Sequence, residues 1–193
     1  MTRRLTAEYE RTGTLPAEAP IFTGEGIKLF TDERNARALT GALSGEPTLV
    51  SYLTAHLSRL GPGDYFALLA YIEMSDAHER ALQLTRSAVR DAKRVATCLE
   101  FGPRFLHLTG QAYKGGPNTG VFLQITCDDT VDVPVPGQKY TFGVVKAAQA
   151  RGDFEVLVEQ DRRALRVHLD SDVVAGLGTL QRAITTALED RRR

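Results

Sequence analysis

The chain has 193 residues, and its 24 basic side chains balance its 24 acidic ones, so the formal charge is zero. A neutral chain has no net attraction for phosphate backbones or anionic membranes, so we expect neither nucleic acid nor a membrane as a partner. The longest apolar run, Tyr65–Ile72, is far shorter than the roughly 18 residues of a membrane helix. The charged N-terminus lacks the apolar stretch of a signal peptide, which favours a cytoplasmic location.

The first 60 residues form a predicted helical annex. A short helix is expected over residues 2–12, and two more are expected near 32–43 and 47–60. Between them, Gly24-Glu25-Gly26 separates two short apolar runs, which is a pattern typical of a small hairpin.

From residue 61 onward, apolar strands alternate with helices. Four strands are predicted, at residues 65–72, 96–101, 121–127 and 164–169. Helices are predicted from Ser75 to about residue 96, from Thr141 to Gly152, from Asp153 onward, and over 171–188. The first of these helices carries an apolar stripe made of Ala81, Leu84, Ala88, Ala92 and Val95. This alternation predicts a three-layer α/β domain over residues 61–190, with a mostly parallel sheet of about four strands.

The segment between the second and third strands carries the strongest functional signal. It begins where a strand ends, and ligands collect beyond the carboxyl ends of parallel strands. Its glycines can aim backbone N–H groups at an anion, and its cations can neutralise a phosphate. The candidate binding residues are Arg104, Thr109, Gly110, Gln111, Lys114, Gly115, Gly116, Asn118 and Thr119. His107 is the candidate proton-transfer group because imidazole titrates near neutrality.

A second interpretation of this segment stays open. It is also compatible with a long loop that only connects two strands and contains a buried, hydrogen-bonded histidine. It matches neither the phosphate-binding loop of nucleotide hydrolases nor the dinucleotide fingerprint, so no cofactor is expected. Glu73 and Glu100 lie at the expected carboxyl ends of strands, where a general base could be placed, although the pattern favours surface carboxylates. His56, His78 and His168 are too scattered for a metal site, and Cys98 and Cys127 form no metal or disulfide framework.

Several stretches together resemble a known family. They are Gly63-Asp64-Tyr65-Phe66-Ala67-Leu68-Leu69-Ala70-Tyr71, Phe101-Gly102-Pro103-Arg104-Phe105-Leu106-His107, Thr109-Gly110-Gln111, Lys114-Gly115-Gly116-Pro117-Asn118-Thr119-Gly120, Pro136-Gly137-Gln138-Lys139-Tyr140-Thr141-Phe142-Gly143 and Arg166-Val167-His168-Leu169. In these stretches the chain resembles the bacterial fusion proteins that join transaldolase to glucose-6-phosphate isomerase. The similarity is to the far C-terminal portion of the isomerase half, and it differs at Leu108, where the family has serine.

The resemblance implies a domain of sugar-phosphate metabolism that binds a phosphosugar or completes a glucose-6-phosphate isomerase. In that family the isomerase signature, which ends in a catalytic lysine, lies upstream of the matching region, so aldose–ketose isomerisation stays open. The family's transaldolase barrel with its Schiff-base lysine has no counterpart in this sequence, so transaldolase activity is not expected. The partners implied are a sugar phosphate and the remainder of a transaldolase/isomerase polypeptide. Two alternatives remain: a non-catalytic assembly module and a generic anion-binding domain.

Overall fold

The protein is built around one mixed β-sheet. The computed structural model describes residues 2–107 and 109–189, with the side chains of residues 106 and 107 outside that description. The strands are β1 (Phe22–Gly24), β2 (Ile27–Phe30), β3 (Tyr65–Tyr71), β4 (Ala96–Phe101), β5 (Gly120–Cys127) and β6 (Arg163–Leu169). They lie in the order β1-β2-β6-β5-β3-β4. The four strands from β6 to β4 are parallel, and β1 and β2 are antiparallel to their neighbours.

Helices cover both faces of this sheet. They are α1 (Thr2–Thr12), α2 (Glu33–Gly41), α3 (Leu49–Leu57), α4 (Asp76–Lys93), α5 (Thr109–Gly115), α6 (Phe142–Glu159) and α7 (Val173–Glu189). The front face, which bears Leu68, Leu123 and Val167, packs against α3, α4 and α7 in the larger core. The back face, which bears Leu69 and Phe122, packs against α5 and α6. The predicted three-layer α/β class is confirmed.

The prediction of about four strands is wrong, because the sheet has six. The additional pair is the hairpin at residues 22–30, where Glu25 and Gly26 both have positive φ angles of 55° and 72°. A two-residue turn of this kind matches the twist of an antiparallel pair. Strand β2 then pairs with β6, and its buried Ile27 and Leu29 join the larger core. Residues 22–30 therefore belong to the same sheet as residues 65–169.

Two helix predictions also need correction. The break predicted at Gly152 does not occur, since α6 continues through it to Glu159. Gly152 is buried in α6 together with Ala148 and Ala150, and small side chains let a helix lie close to its neighbours. On α4 the buried positions are His78, Leu82, Thr85 and Val89. Of the predicted stripe, Leu84 is 58% exposed.

The glycine-rich segment between β4 and β5 is largely helical. A single 3₁₀ turn at Arg104–His107 is followed by the short helix α5. No helix in the described part of the chain is both long and apolar enough to cross a bilayer.

Candidate functional site

The back face of the sheet changes from apolar to polar along the strands. Near the amino ends of its parallel strands it presents Ala67, Phe122 and Ala164, all fully buried. Towards the carboxyl ends, two rows of polar side chains cross the sheet. Gln124 and Arg166 are neighbours in one row. The next row runs through Tyr71, Thr126, His168 and Lys28.

These rows lie where the fold favours a ligand. From β3 the chain passes through α4 to β4 on one side, and it later returns to place β5 on the other side. Helix α4 covers the front face and α6 covers the back face. Ligands in open α/β sheets bind outside the carboxyl ends of strands at such a reversal. Tyr71 and Thr126 are paired at this point.

A cavity of about 600 Å³ lies over the polar rows. Its walls are the carboxyl ends of β3, β5 and β6, part of β2, the first half of α6, and a segment after α1 that includes Leu15 and Glu18. Cavities of roughly 300–1,000 Å³ are typical of small-molecule sites. The volume therefore suits a small ligand.

Two arginines and one glutamate form a cationic cluster in the cavity wall. Arg151 Nε and Arg166 Nη2 lie 2.7 and 2.8 Å from the same carboxylate oxygen of Glu18. The side chain of Arg166 is only 5% exposed, and its guanidinium carbon lies 4.5 Å from the ring centre of Phe30. Burial lowers the pKa of Arg151, and Arg166 lowers it further while Glu18 opposes the shift. With two positive charges and one negative charge, the cluster has a net charge of 2 − 1 = +1.

Lys28 adds a further cation to this wall. It is paired with His168 in the β2–β6 register and lines the cavity. Within residues 2–107 and 109–189, no acidic side chain forms an ion pair with it.

An acidic cluster lies at the amino end of α6. Asp129 pairs with Lys146, and Asp132 accepts hydrogen bonds from the Gly143 N–H at 2.7 Å and from the Thr141 hydroxyl. Burial acts to raise the pKa of Asp132, but these hydrogen bonds outweigh it and the pKa is lowered. Gly143 and Arg151 are eight residues apart on α6, which separates the acidic and cationic clusters by about 12 Å along the helix. The cavity is therefore electrically polarised.

His168 connects two polar groups of the cavity. Its Nδ1 lies 2.9 Å from Thr126 Oγ1, and its Nε2 lies 3.1 Å from Asp128 Oδ1. Burial lowers the pKa of His168, although Asp128 opposes this shift. The imidazole is therefore neutral at pH 7, and a neutral ring that donates from Nε2 to Asp128 accepts at Nδ1 from the Thr126 hydroxyl. In its neutral form the ring can act as a base towards a bound ligand.

Tyr71 lies at the reversal point and is held by α6. Its hydroxyl donates to Asp153 Oδ2 at 2.5 Å, and Lys114 Nζ donates to the other oxygen at 2.7 Å. Burial and the Asp153 carboxylate raise the pKa of Tyr71, so the phenol stays protonated. Lys114, one of the predicted phosphate ligands, is thus engaged in an ion pair next to the cavity and not in its lining.

The other predicted binding residues are spread between the two edges of the sheet. At the carboxyl edge, exposed Arg104 donates to the Met74 sulfur at 3.0 Å, and the Thr109 hydroxyl donates to Glu100 at 2.9 Å. At the amino edge, Asn118 donates to the Asp161 carbonyl at 3.0 Å, and Thr119 directly precedes β5.

Helix α5 connects these two edges. It carries Gly110, Gln111, Lys114 and Gly115, and the carbonyls of Lys114 and Gly116 accept hydrogen bonds from Arg162. None of the predicted binding residues, all of which lie in the described part of the chain, lines the 600 Å³ cavity. Arg104 instead lines a recess of about 270 Å³ with Glu79, Glu100 and neighbouring residues. The His107 side chain lies outside the described residues, so its predicted role stays a prediction.

The cavity residues Glu18, Arg151 and Arg166 are not among the residues predicted from the sequence to form a site. His168 is considered there only as a metal ligand and is excluded as one. A signal is present in β6, where Arg166 and His168 alternate with the apolar residues Leu165, Val167 and Leu169. Gln124 and Thr126 show the same spacing in β5. Polar residues at every second position of a buried strand point to one face, which marks that face as something other than core.

Within the described ranges, no group of three His, Cys, Asp or Glu side chains is arranged to hold a metal ion.

No protein-family model and no curated protein matches the chain. Among solved structures, a hypothetical protein from Thermus thermophilus is similar, with a TM-score of 0.61 and 17% sequence identity. The match covers 82% of this chain and 44% of the Thermus chain, so this protein spans less than half the length of that one. At this identity, the similarity shows the shared α/β fold.

Proposed function

We propose that the protein is a glucose-6-phosphate isomerase-related domain that binds a phosphorylated sugar, and that the sugar phosphate occupies the cavity over β5 and β6. The observation that carries this proposal is the polarised wall, in which Arg151, next to the buried Arg166, lies about 12 Å along α6 from the acidic cluster. A phosphorylated sugar has a matching asymmetry, because its charge is at one end and its hydroxyl groups are at the other.

Each part of the wall suits one part of such a ligand. Guanidinium groups present several N–H donors in a fixed plane and bind phosphate oxygens in pairs. Lys28 supplies an ammonium group in the same cavity wall. Carboxylates such as those of Asp128 and Asp129 accept hydrogen bonds from sugar hydroxyls but repel a second phosphate. A monophosphate is therefore favoured over a bisphosphate.

The neutral His168 favours a catalytic version of this proposal. Aldose–ketose isomerisation requires groups that move protons during ring opening and between adjacent carbons. His168 is bonded to Asp128 and Thr126 and lines the cavity, so it could exchange a proton with a bound sugar. A coupled assay for the formation of fructose 6-phosphate from glucose 6-phosphate tests this version. We expect the wild type to be active and His168→Asn to be inactive.

Calorimetric titration with glucose 6-phosphate, inorganic phosphate and glucose tests binding. We expect glucose 6-phosphate to bind more tightly than either of the others, because only it engages both clusters. Lys28→Ala should weaken its affinity roughly tenfold, the loss expected for one charged hydrogen bond. Arg90→Ala, on the front-face helix α4, is the matched control and should bind like the wild type.

A second variant separates the cavity from the glycine-rich segment. If the ligand occupies the cavity, Arg104→Ala leaves the affinity unchanged. Weakened binding in Arg104→Ala, with Lys28→Ala unaffected, would instead place the ligand at the segment between β4 and β5. Equal affinity for phosphate and glucose 6-phosphate would indicate a generic anion site. Absence of any binding would favour the assembly-module alternative.

A further inference from the structure

The carboxylate of Glu18 occupies the position in which the two arginines would hold a ligand anion. One oxygen of Glu18 accepts from Arg151 Nε at 2.7 Å and from Arg166 Nη2 at 2.8 Å. A phosphate is bound by the same arrangement, in which two guanidinium groups converge on one anionic oxygen. Glu18 is 34% exposed, whereas Arg166 is 5% exposed, so the carboxylate approaches the buried arginine from the open side of the cavity.

Glu18 belongs to a segment with few other attachments. Residues 13–20, here called the strap, connect α1 to Ile21 without forming a helix or strand. Ile21 is anchored to the core, because its N–H donates to the Leu29 carbonyl at 2.8 Å and its carbonyl accepts from the Tyr52 hydroxyl at 3.2 Å. Apart from Glu18, the strap is held by Arg151 Nη1, which donates to the Pro16 carbonyl at 2.6 Å. Helix α1 packs against α6, where it buries Leu5 and adds an exposed ion pair between Arg4 and Glu155. Exposed ion pairs contribute little to stability. The strap can therefore move without disturbing the sheet.

We propose that Glu18 is an internal anion that fills the ligand's anionic position, and that an incoming phosphate displaces it together with the strap. This inference rests on the proposed function for the identity of the ligand, while the displacement applies to any phosphate. The two arginines need an anion between them because both are partly or fully buried and close to each other. A phosphate dianion offers more charge and more acceptor oxygens than one carboxylate.

Displacement makes Glu18 a specificity-determining residue. A ligand that binds only after the strap opens has its affinity reduced by the fraction of molecules that are open. Weak anions, such as a lone carboxylate, gain too little from the arginines to compete with a carboxylate that is already attached to the chain. The cavity would consequently select phosphate groups over carboxylates.

The test is Glu18→Gln, with Glu8→Gln on the exposed surface of α1 as the matched control. Removing the internal anion should raise the affinity for inorganic phosphate roughly tenfold or more. Without phosphate, Glu18→Gln should melt at a lower temperature than the wild type, since the arginines then face each other unneutralised. Added phosphate should restore more of this loss in the variant than it adds to the wild type.

Hydrogen exchange of the wild type provides a second readout. Displacement predicts faster exchange in residues 13–20 when phosphate binds, because the strap loses its attachment through Glu18. Slower exchange there, or an unchanged or weaker affinity of Glu18→Gln for phosphate, would overturn the inference.

The same titrations distinguish this inference from the proposed function. If Glu18→Gln gains affinity for phosphate and for glucose 6-phosphate while neither is preferred, displacement stands and the sugar-phosphate proposal fails. If glucose 6-phosphate is preferred but Glu18→Gln changes nothing, the sugar-phosphate proposal stands and displacement fails. If neither anion binds the wild type or the variant, both are overturned.

Discussion

His56 provides a quantitative test of the core packing behind the cavity. It lies on α3 with no exposed surface, and its Nε2 is 3.0 Å from the Phe122 carbonyl oxygen on β5. Its Nδ1 is buried with no hydrogen-bond partner. Burial, with Arg59 nearby, lowers the pKa of His56 from 6.5 to about 3. The folded protein therefore holds this imidazole in its neutral form well below neutral pH.

The sign of the effect on stability follows from this lowered pKa. The unfolded chain takes up a proton on His56 below about pH 6.5, while the folded chain does not until about pH 3. The stability that depends on neutral His56 is thus complete above pH 6.5 and is lost as the pH falls. The loss is about 1.4 kcal/mol per pH unit in this window, or about 2 kcal/mol at pH 5.

Urea unfolding of the wild type and of His56→Gln at pH 7.5 and pH 5.0 measures this loss. Glutamine keeps an N–H donor for the Phe122 carbonyl but cannot titrate. The wild type should lose about 2 kcal/mol more free energy of unfolding than the variant between the two pH values. Other titrating groups act in both proteins and cancel in the difference. If the two proteins show the same pH dependence, His56 does not remain neutral in the folded state and the reasoning is wrong.

Two further stability predictions concern carboxylates at opposite edges of the sheet. Asp132→Ala should lower the free energy of unfolding by about 1 kcal/mol, because it removes the carboxylate that accepts from the Gly143 N–H at the start of α6. Asp132→Asn should lose less, and equal losses in thermal unfolding would argue against a capping role. Asp64→Asn should cost about 3 kcal/mol, since it leaves the guanidinium of Arg163 without the paired carboxylate that it contacts at 2.7 and 2.8 Å. A loss below about 1 kcal/mol in urea unfolding would mean that solvent replaces this pair.

The strands of the parallel sheet could be predicted to within one or two residues. The segment at Tyr65–Tyr71 is apolar at every position because both of its faces are covered. A continuous apolar run of this length is typical of a strand in a parallel sheet. The hairpin at residues 22–30 is predictable from its turn, but its place in the sheet is not. Pairing between Ile27 and Leu169 joins residues far apart in the chain, and no local pattern specifies such a contact.

Helix α4 shows why a stripe of apolar residues can mislead. Leu82 is buried in the core, whereas Leu84 is not. The buried side of the helix also contains His78 and Thr85. Both polar residues bond to nearby carbonyls, His78 to that of Glu73 and Thr85 to that of Ala81. A buried polar side chain with its hydrogen bond made costs little, so polarity alone does not identify the exposed side.

The candidate site is harder to predict than the fold because its residues come from distant parts of the chain. Glu18 precedes β1, Arg151 lies on α6, and Arg166 lies on β6. The glycine-rich segment is easily predicted as a site because its polar residues lie close together in the sequence. In the folded chain, however, α5 carries that segment from one edge of the sheet to the other. Local density of polar residues is therefore a weaker guide than alternation within a buried strand.

The unequal faces of the sheet have a consequence for how such a protein can diversify. The front face carries an unbroken apolar core, while the back face is apolar over its amino-terminal part and polar over its carboxyl-terminal part. Substitutions among Lys28, Thr126 and His168 leave the front face intact, so the chain can acquire a different ligand preference while keeping the same scaffold. A fold arranged in this way can persist while its sequence, and the molecule it recognises, change almost independently.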